Sequence, residues 1–229
     1  MKRGDFMNKL KKILLISIAI ILITSSIISI SLYLYNKNEL DNAKIQDENI
    51  VFFGDSITEG YNVKEFFDEY RVVNSGISGN ITKNLIDRIE TDLYDYNPSK
   101  VIILIGTNDI RANISDEEII DNIKEIINGI RKNRKNAEIY IQSIYPINRD
   151  IDKEYWKDVN SEYNNKHIIE LNKLIKNLCK EEKINYINVY SKLIDDNGNL
   201  KSAYTKEGLH LNDLGYYKVT NVLKEYLKN

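Results

Sequence analysis

Ser56 stands in Gly54-Asp55-Ser56-Ile57-Thr58, a short turn-forming stretch directly after an apolar run. A serine held on a tight turn becomes a nucleophile when a base can take its proton. Two further clusters carry the donors that acyl transfer needs. The glycines of Asn74-Ser75-Gly76-Ile77-Ser78-Gly79-Asn80 let backbone N–H groups approach a ligand closely, and Asn108 in Gly106-Thr107-Asn108-Asp109 brings a side-chain amide. Donors of both kinds stabilise the oxyanion of a tetrahedral intermediate. The chain has two histidines, so the choice of base is narrow. His210 lies in the loop-like Lys206-Glu207-Gly208-Leu209-His210-Leu211-Asn212. His167 shares helical spacing with Leu171, Leu174 and Leu178, which makes it a packing or boundary residue. Each feature alone also has a plainer reading: a turn at Gly54 to Ser56, a cap at Asn108, positive φ at Gly76 and Gly79, a solvated carboxylate at Glu207. Asp55 and Asp109 read as braces of their turns. Ser78 does not fit the G-x-S-x-G elbow, because Gly76-Ile77-Ser78-Gly79 has the wrong spacing.

The elements that must position these residues follow from the apolar pattern. Strand-length runs occur at 50–54, 71–74, 101–106, 138–144 and 184–189, alternating with helical patterns, which predicts an α/β domain with a five-stranded parallel sheet over 49–229. One helical face is made by Leu85, Ile86, Ile89 and Leu93. A second joins Ile119, Ile120, Ile123, Ile126, Ile127 and Ile130 behind a capping box at Ser115-x-x-Glu118. Leu171, Leu174, Ile175 and Leu178 form a third, and Val219, Val222, Leu223 and Tyr226 follow a predicted cap at Asn212. In an open α/β sheet, ligands bind outside the carboxyl ends of the strands. The Ser56, Gly79 and Asn108 clusters follow the first three runs, so one sheet edge carries all three.

GDSIT at 54–58, NSGISGN at 74–80, GTND at 106–109 and EGLHLN at 207–212 resemble the four ordered blocks of the SGNH/GDSL hydrolases. Any one block recurs by chance, whereas four in the family's order on predicted strand ends form a specific pattern. The resemblance covers about residues 49–229 and implies a three-layer α/β/α flavodoxin-like fold with strand order 2-1-3-4-5. It also implies Ser56 as nucleophile, His210 as its base, and an oxyanion hole formed by the N–H groups of Ser56 and Gly79 and the amide of Asn108. The family usually carries Asp three residues before the histidine. This chain has Glu207 there, the same charge on a longer arm, so the loop around the acid must differ.

Ahead of the domain, residues 13–35 run for 23 residues without a charge, about 35 Å as a helix and long enough to cross a bilayer. Residues 1–12 carry Lys2, Arg3, Lys9, Lys11 and Lys12 against Asp5, which predicts a cytoplasmic basic flank, a transmembrane anchor over 13–35, a polar linker over 36–48 and an extracytoplasmic domain. A cleaved signal peptide with a secreted product is the alternative, although no A-x-A-like site is evident. Residues 36–229 hold 27 basic against 33 acidic side chains, which disfavours a nucleic-acid partner. The single Cys179 excludes an internal disulfide, and two histidines supply no His/Cys-rich zinc cluster. No phosphate loop or dinucleotide fingerprint appears, so no cofactor or metal is expected. The expected activity is hydrolysis of an O-acyl ester, on a glycan O-acetyl group or on a lysophospholipid or short-chain lipid. A catalytically weak or inactive glycan-binding protein of the same fold is the competing class, favoured only by Glu207.

Overall fold

The computed structural model describes residues 3–47 and 49–227, in two compact units, Met1–Gln46 and Asp47–Asn229. The first is formed by the helix Arg3–Asp47. Its stretch Leu15–Lys37 has a mean hydropathy of 2.5 and none of it is buried. The hydroxyls of Thr24, Ser25 and Ser26 donate to the carbonyls of Ile21 and Leu22, so these polar groups are satisfied within the helix. Most of the segment expected as a linker, 36–48, is also helical, through Asp47. It contains neither glycine nor proline, and nothing interrupts the propagation of helical hydrogen bonds. Met1, Lys2, Glu48, Lys228 and Asn229 lie outside the described residues.

The second unit has five parallel strands, β1 Asn49–Gly54, β2 Arg71–Gly76, β3 Lys100–Leu104, β4 Glu138–Gln142 and β5 Asn185–Ile187, in the order β2-β1-β3-β4-β5. Order and direction are those expected. Ile50 to Phe53 and Val101 to Leu104 are buried, as central strands covered on both faces require. Growth of the sheet reverses direction after β2. With right-handed crossovers, that puts the β1–β2 connection and the last helix, Asp213–Leu227, on one face and the other crossover helices on the opposite one. Contacts agree: Tyr61 stacks on Tyr216 on one side, and His167 reaches Asp116 on the other. The reversal leaves a crevice at the carboxyl ends of β1 and β3.

Three expected elements differ in detail. The face Leu85 to Leu93 is split into the helices Thr82–Asp87 and Ile89–Asp92 at Arg88. The Arg88 guanidinium turns to the sheet and donates to the carbonyls of Gly54 and Ser75, at 2.9 and 3.0 Å. The run 138–144 leaves the ladder after Gln142, because side chains on the helix Asn165–Glu181 satisfy the continuing backbone. Asn172 bonds both the N–H and C=O of Ile144, and Asn165 does the same for Ile147. On that helix Ile168, Leu171, Ile175, Leu178 and Cys179 are buried, whereas Leu174 is 42% exposed and lies off the packed stripe. The helix Asp116–Asn133 buries Ile119, Ile123, Ile126, Ile127 and Ile130, and the Ser115 hydroxyl accepts from the Glu118 N–H. The predicted cap at Asn212 accepts from the Gly215 N–H.

Candidate active site

Gly54 ends β1 opposite Gly76 of β2 and Leu104 of β3, and the chain turns at once into the short helix Ser56–Glu59. Both glycines are needed for close approach. A Cβ on Gly76 would lie 2.1 Å from the Glu59 nitrogen, and one on Gly54 would lie 2.3 Å from the Leu104 carbonyl oxygen. The turn is braced as its sequence suggests. Asp55 Oδ1 accepts from the Ile57 N–H at 2.9 Å, and Asn74 Nδ2 donates to the carbonyls of Thr58 and Tyr61.

Ser56 Oγ lies 3.0 Å from His210 Nε2, and His210 Nδ1 lies 2.5 Å from Glu207 Oε1. The same carboxylate oxygen accepts from the His210 backbone N–H at 2.8 Å, so one loop of four residues fixes both the ring and its acid. Glu207 and His210 have side-chain exposures of 17% and 37%, which leaves the ring edge open to a small molecule. The longer arm therefore reaches. It does so because Gly208, at φ +94°, folds the chain back between the two residues, and Thr205 ties the loop shut by accepting from the Gly208 N–H and donating to the His210 carbonyl.

On the other side of Ser56, Gly79 adopts φ +78° in the turn after β2. Among the described residues, neither the Ser56 N–H nor the Gly79 N–H has an acceptor. Asn108 Nδ2 donates to the Asn80 carbonyl at 3.0 Å, which orients the amide and leaves its second N–H free for a ligand. Ser56, Gly79 and Asn108 therefore follow adjacent strand ends on one sheet edge, and the loop of Glu207 and His210 meets that edge at Ser56 Oγ. Ser78 is exposed and makes no side-chain hydrogen bond among the described residues. His167 is a boundary residue, bonded to Asp116 and the Glu162 carbonyl.

Two carboxyl groups beneath the site are buried. Burial pushes Asp55 up to about 7, the Ile57 N–H opposes the shift, and nearby Asp109 adds to it. Asp55 Oδ2 makes no hydrogen bond. Asp109 is likewise raised by burial, against the lowering effect of the Thr82 hydroxyl and N–H that it accepts from. Both act as the braces their position suggests. What sequence reasoning missed is the support from other segments: Arg88, Thr205, and above all Asn148 and Trp156, which hold the Glu207-Gly208 turn from a loop far away in sequence. No spacing rule points to these. The only available signal was that Trp156 is the chain's single tryptophan, set in a polar stretch.

Residues 52–218 match the model of the GDSL-like Lipase/Acylhydrolase family. An Escherichia coli N-acylneuraminate cytidylyltransferase is 30% identical over 196 residues, 84% of this chain, but the chain spans only 42% of that relative's length. The rat platelet-activating factor acetylhydrolase IB subunit alpha2 is 23% identical over 84% of this chain and 81% of its own. Among solved structures, a Streptococcus pneumoniae protein described as a candidate platelet activating factor superposes with a TM-score of 0.74 at 31% identity, covering 89% of this chain and 99% of that one. A GDSL-like lipase from Bacteroides thetaiotaomicron gives 0.69 at 24% identity, covering 85% and 97%, and shares the fold.

Proposed function

Because the chain belongs to the GDSL-like lipase/acylhydrolase family and is an esterase of that kind, we propose that it is a membrane-anchored extracytoplasmic serine esterase that removes a short acyl group through an acyl-enzyme on Ser56. The observation that carries this reading is the continuous chain Ser56 Oγ, His210 Nε2, His210 Nδ1 and Glu207 Oε1, with links of 3.0 and 2.5 Å.

In the first half-reaction Ser56 Oγ attacks the ester carbonyl carbon while His210 Nε2 takes the hydroxyl proton. Glu207 stabilises the imidazolium and fixes the tautomer. The carbonyl oxygen becomes an oxyanion, met by the N–H groups of Ser56 and Gly79 and the free N–H of Asn108. These donors favour the tetrahedral state over the planar ester, which lowers the barrier. Collapse breaks the carbon–oxygen bond to the alcohol, which leaves with the proton from His210. Water then attacks the acyl-Ser56, giving a proton to His210, and the second collapse releases the carboxylic acid and returns the proton to Ser56 Oγ.

The name of the rat relative, an acetylhydrolase, supports a two-carbon acyl group, and that of the E. coli relative, whose named substrate is a sugar acid, supports a sugar hydroxyl as one alcohol that could carry it. The anchor reading rests on the exposed apolar span Leu15–Lys37 and the basic residues before it. The noncatalytic alternative rested on Glu207, and the 2.5 Å contact of its carboxylate with His210 Nδ1 supports the catalytic reading instead.

The test is turnover of p-nitrophenyl acetate by the full-length chain in detergent, followed by a panel of O-acetylated sugars against lysophospholipids. Abolition of turnover by Ser56→Ala supports the reading, and unchanged turnover refutes it. Fractionation tests the anchor separately: the intact chain should sediment with membranes, and recovery of it in the soluble cytoplasm would end that part of the proposal.

A further inference from the structure

The connection between β4 and the helix Asn165–Glu181 is long and lacks a strand, yet it is tightly ordered around one arginine. Arg149 donates to the carbonyls of Val159, Asn160, Tyr163 and Trp156, at 2.7, 2.9, 3.1 and 3.3 Å, and its guanidinium lies 5.3 Å from the Trp156 ring. Trp156 is 3% exposed and packs edge-on against Tyr155 and at a tilt against Tyr163. Four backbone carbonyls are thereby satisfied by one side chain, and the indole is held against them as a rigid plate.

That plate ends on the acid loop. Trp156 Nε1 donates to the Glu207 carbonyl at 2.8 Å, and the Asn148 N–H donates to the Gly208 carbonyl, also at 2.8 Å. The fit leaves no slack, since a Cβ on Gly208 would lie 1.9 Å from the Asn148 carbonyl oxygen and 3.2 Å from Trp156 Nε1. Glutamate has one more rotatable bond than aspartate, so a fixed carboxylate needs a fixed backbone beneath it.

We propose that Trp156, held by Arg149, is a positioning residue that sets Glu207 for His210 through the indole N–H and the Glu207 carbonyl. The inference rests on the triad reading and goes beyond it, because it assigns to a loop outside the four sequence blocks the control of how well the acid works. Its effect falls on the chemical step rather than on substrate binding, since Trp156 reaches the reacting atoms only through Glu207 and His210.

The experiment is a double-mutant cycle on the full-length chain with p-nitrophenyl acetate. Trp156→Phe keeps an aromatic ring and removes the N–H donor. It should lower kcat by about tenfold with KM within about twofold, because a small misplacement of a catalytic group costs rate. In the Glu207→Gln background the same change should cost less than about twofold, since two residues acting through one route are not additive. Equal loss in both backgrounds overturns the proposal, as does a Trp156→Phe variant within twofold of wild type while Glu207→Gln is impaired. Glu207→Gln at wild-type activity would instead remove the triad reading itself. Should Trp156→Phe not fold, the single tryptophan permits replacement by the isosteric benzothienylalanine, with sulfur in place of N–H, and the same outcomes apply. A readout free of rate completes the test: with 5-fluorotryptophan the chain gives one fluorine resonance, which should follow the pH dependence of kcat/KM in wild type and lose that dependence in Glu207→Gln. A resonance indifferent to pH in wild type overturns the coupling.

Discussion

Ser56, Gly79 and Asn108 leave the sheet within a few residues of the strand ends of β1, β2 and β3, whereas Glu207 and His210 stand in a loop between the helices Tyr190–Leu193 and Asp213–Leu227. The first group inherits its placement from strand pairing: Gly54, Gly76 and Leu104 share one register line, so the turns beyond them emerge together. The second inherits nothing from the sheet. It is assembled from cross-links, Thr205 within the loop and Asn148 and Trp156 from outside it. The strand-end half is thus robust by topology, and the loop half depends on contacts that single substitutions can remove.

The most severe way to test this contrast is to delete the atoms proposed to react. Ser56→Ala and His210→Ala should each lower kcat by about 10⁴–10⁶ on p-nitrophenyl acetate, with circular dichroism unchanged, and the double variant should be little worse than either single one. Additive losses would show that the two halves do not work as one unit. Next in size, Asn108→Ala should cost about 10²–10³ in kcat with little loss of stability, and a serine-directed phosphonate should still label Ser56 and no other serine. Label on Ser78 would break the assignment of the strand-end half.

The loop half has a wider expected range. Glu207→Gln should cost on the order of 10–10³ in kcat/KM, less than loss of the buried acid in a well-studied triad, because Glu207 is partly solvated. Glu207→Asp should recover little, since the Gly208 turn is pinned and the shorter arm has nowhere to move. Full recovery by aspartate would show the loop to be softer than its contacts suggest.

The smallest effect concerns Asp55, and it separates bracing from chemistry. Its folded-state value, raised by burial from 3.8 to about 7, means that the folded chain holds this proton more tightly than the unfolded one. The neutral form therefore costs nothing below its ordinary value. Stability is lost as pH rises from about 4 to about 7, and the loss levels off above that. Asp55→Asn keeps the oxygen that accepts from Ile57 and cannot ionise. It should raise Tm at pH 8 by about 5 °C, leave Tm near pH 4 almost unchanged, and retain activity within a few fold. A lower Tm at pH 8 would show that the Asp55 charge is stabilising rather than tolerated.

How much of this was legible in the sequence follows the same division. Apolar runs and the glycines after them located the strands, their parallel direction and the residues at their ends, because each of those signals is local: period, turn residue, strand end; the strand order was implied by the family resemblance. The four blocks carried Glu207 and His210 as well, but not the reason that a glutamate reaches the histidine ring. That was decided by the fold, where Gly208 turns the chain, Thr205 closes it and Trp156 holds it from a distant loop. The same holds for Arg88, which breaks an otherwise regular apolar helix to reach the carbonyls of Gly54 and Ser75, and for Asn165 and Asn172, which end β4 early by taking over its backbone hydrogen bonds. Short-range patterns fix which residues arrive at the sheet edge. A hydrogen bond between groups far apart in sequence leaves no periodic trace, so only the folded chain, where buried polar groups must find partners, determines how those residues are aimed.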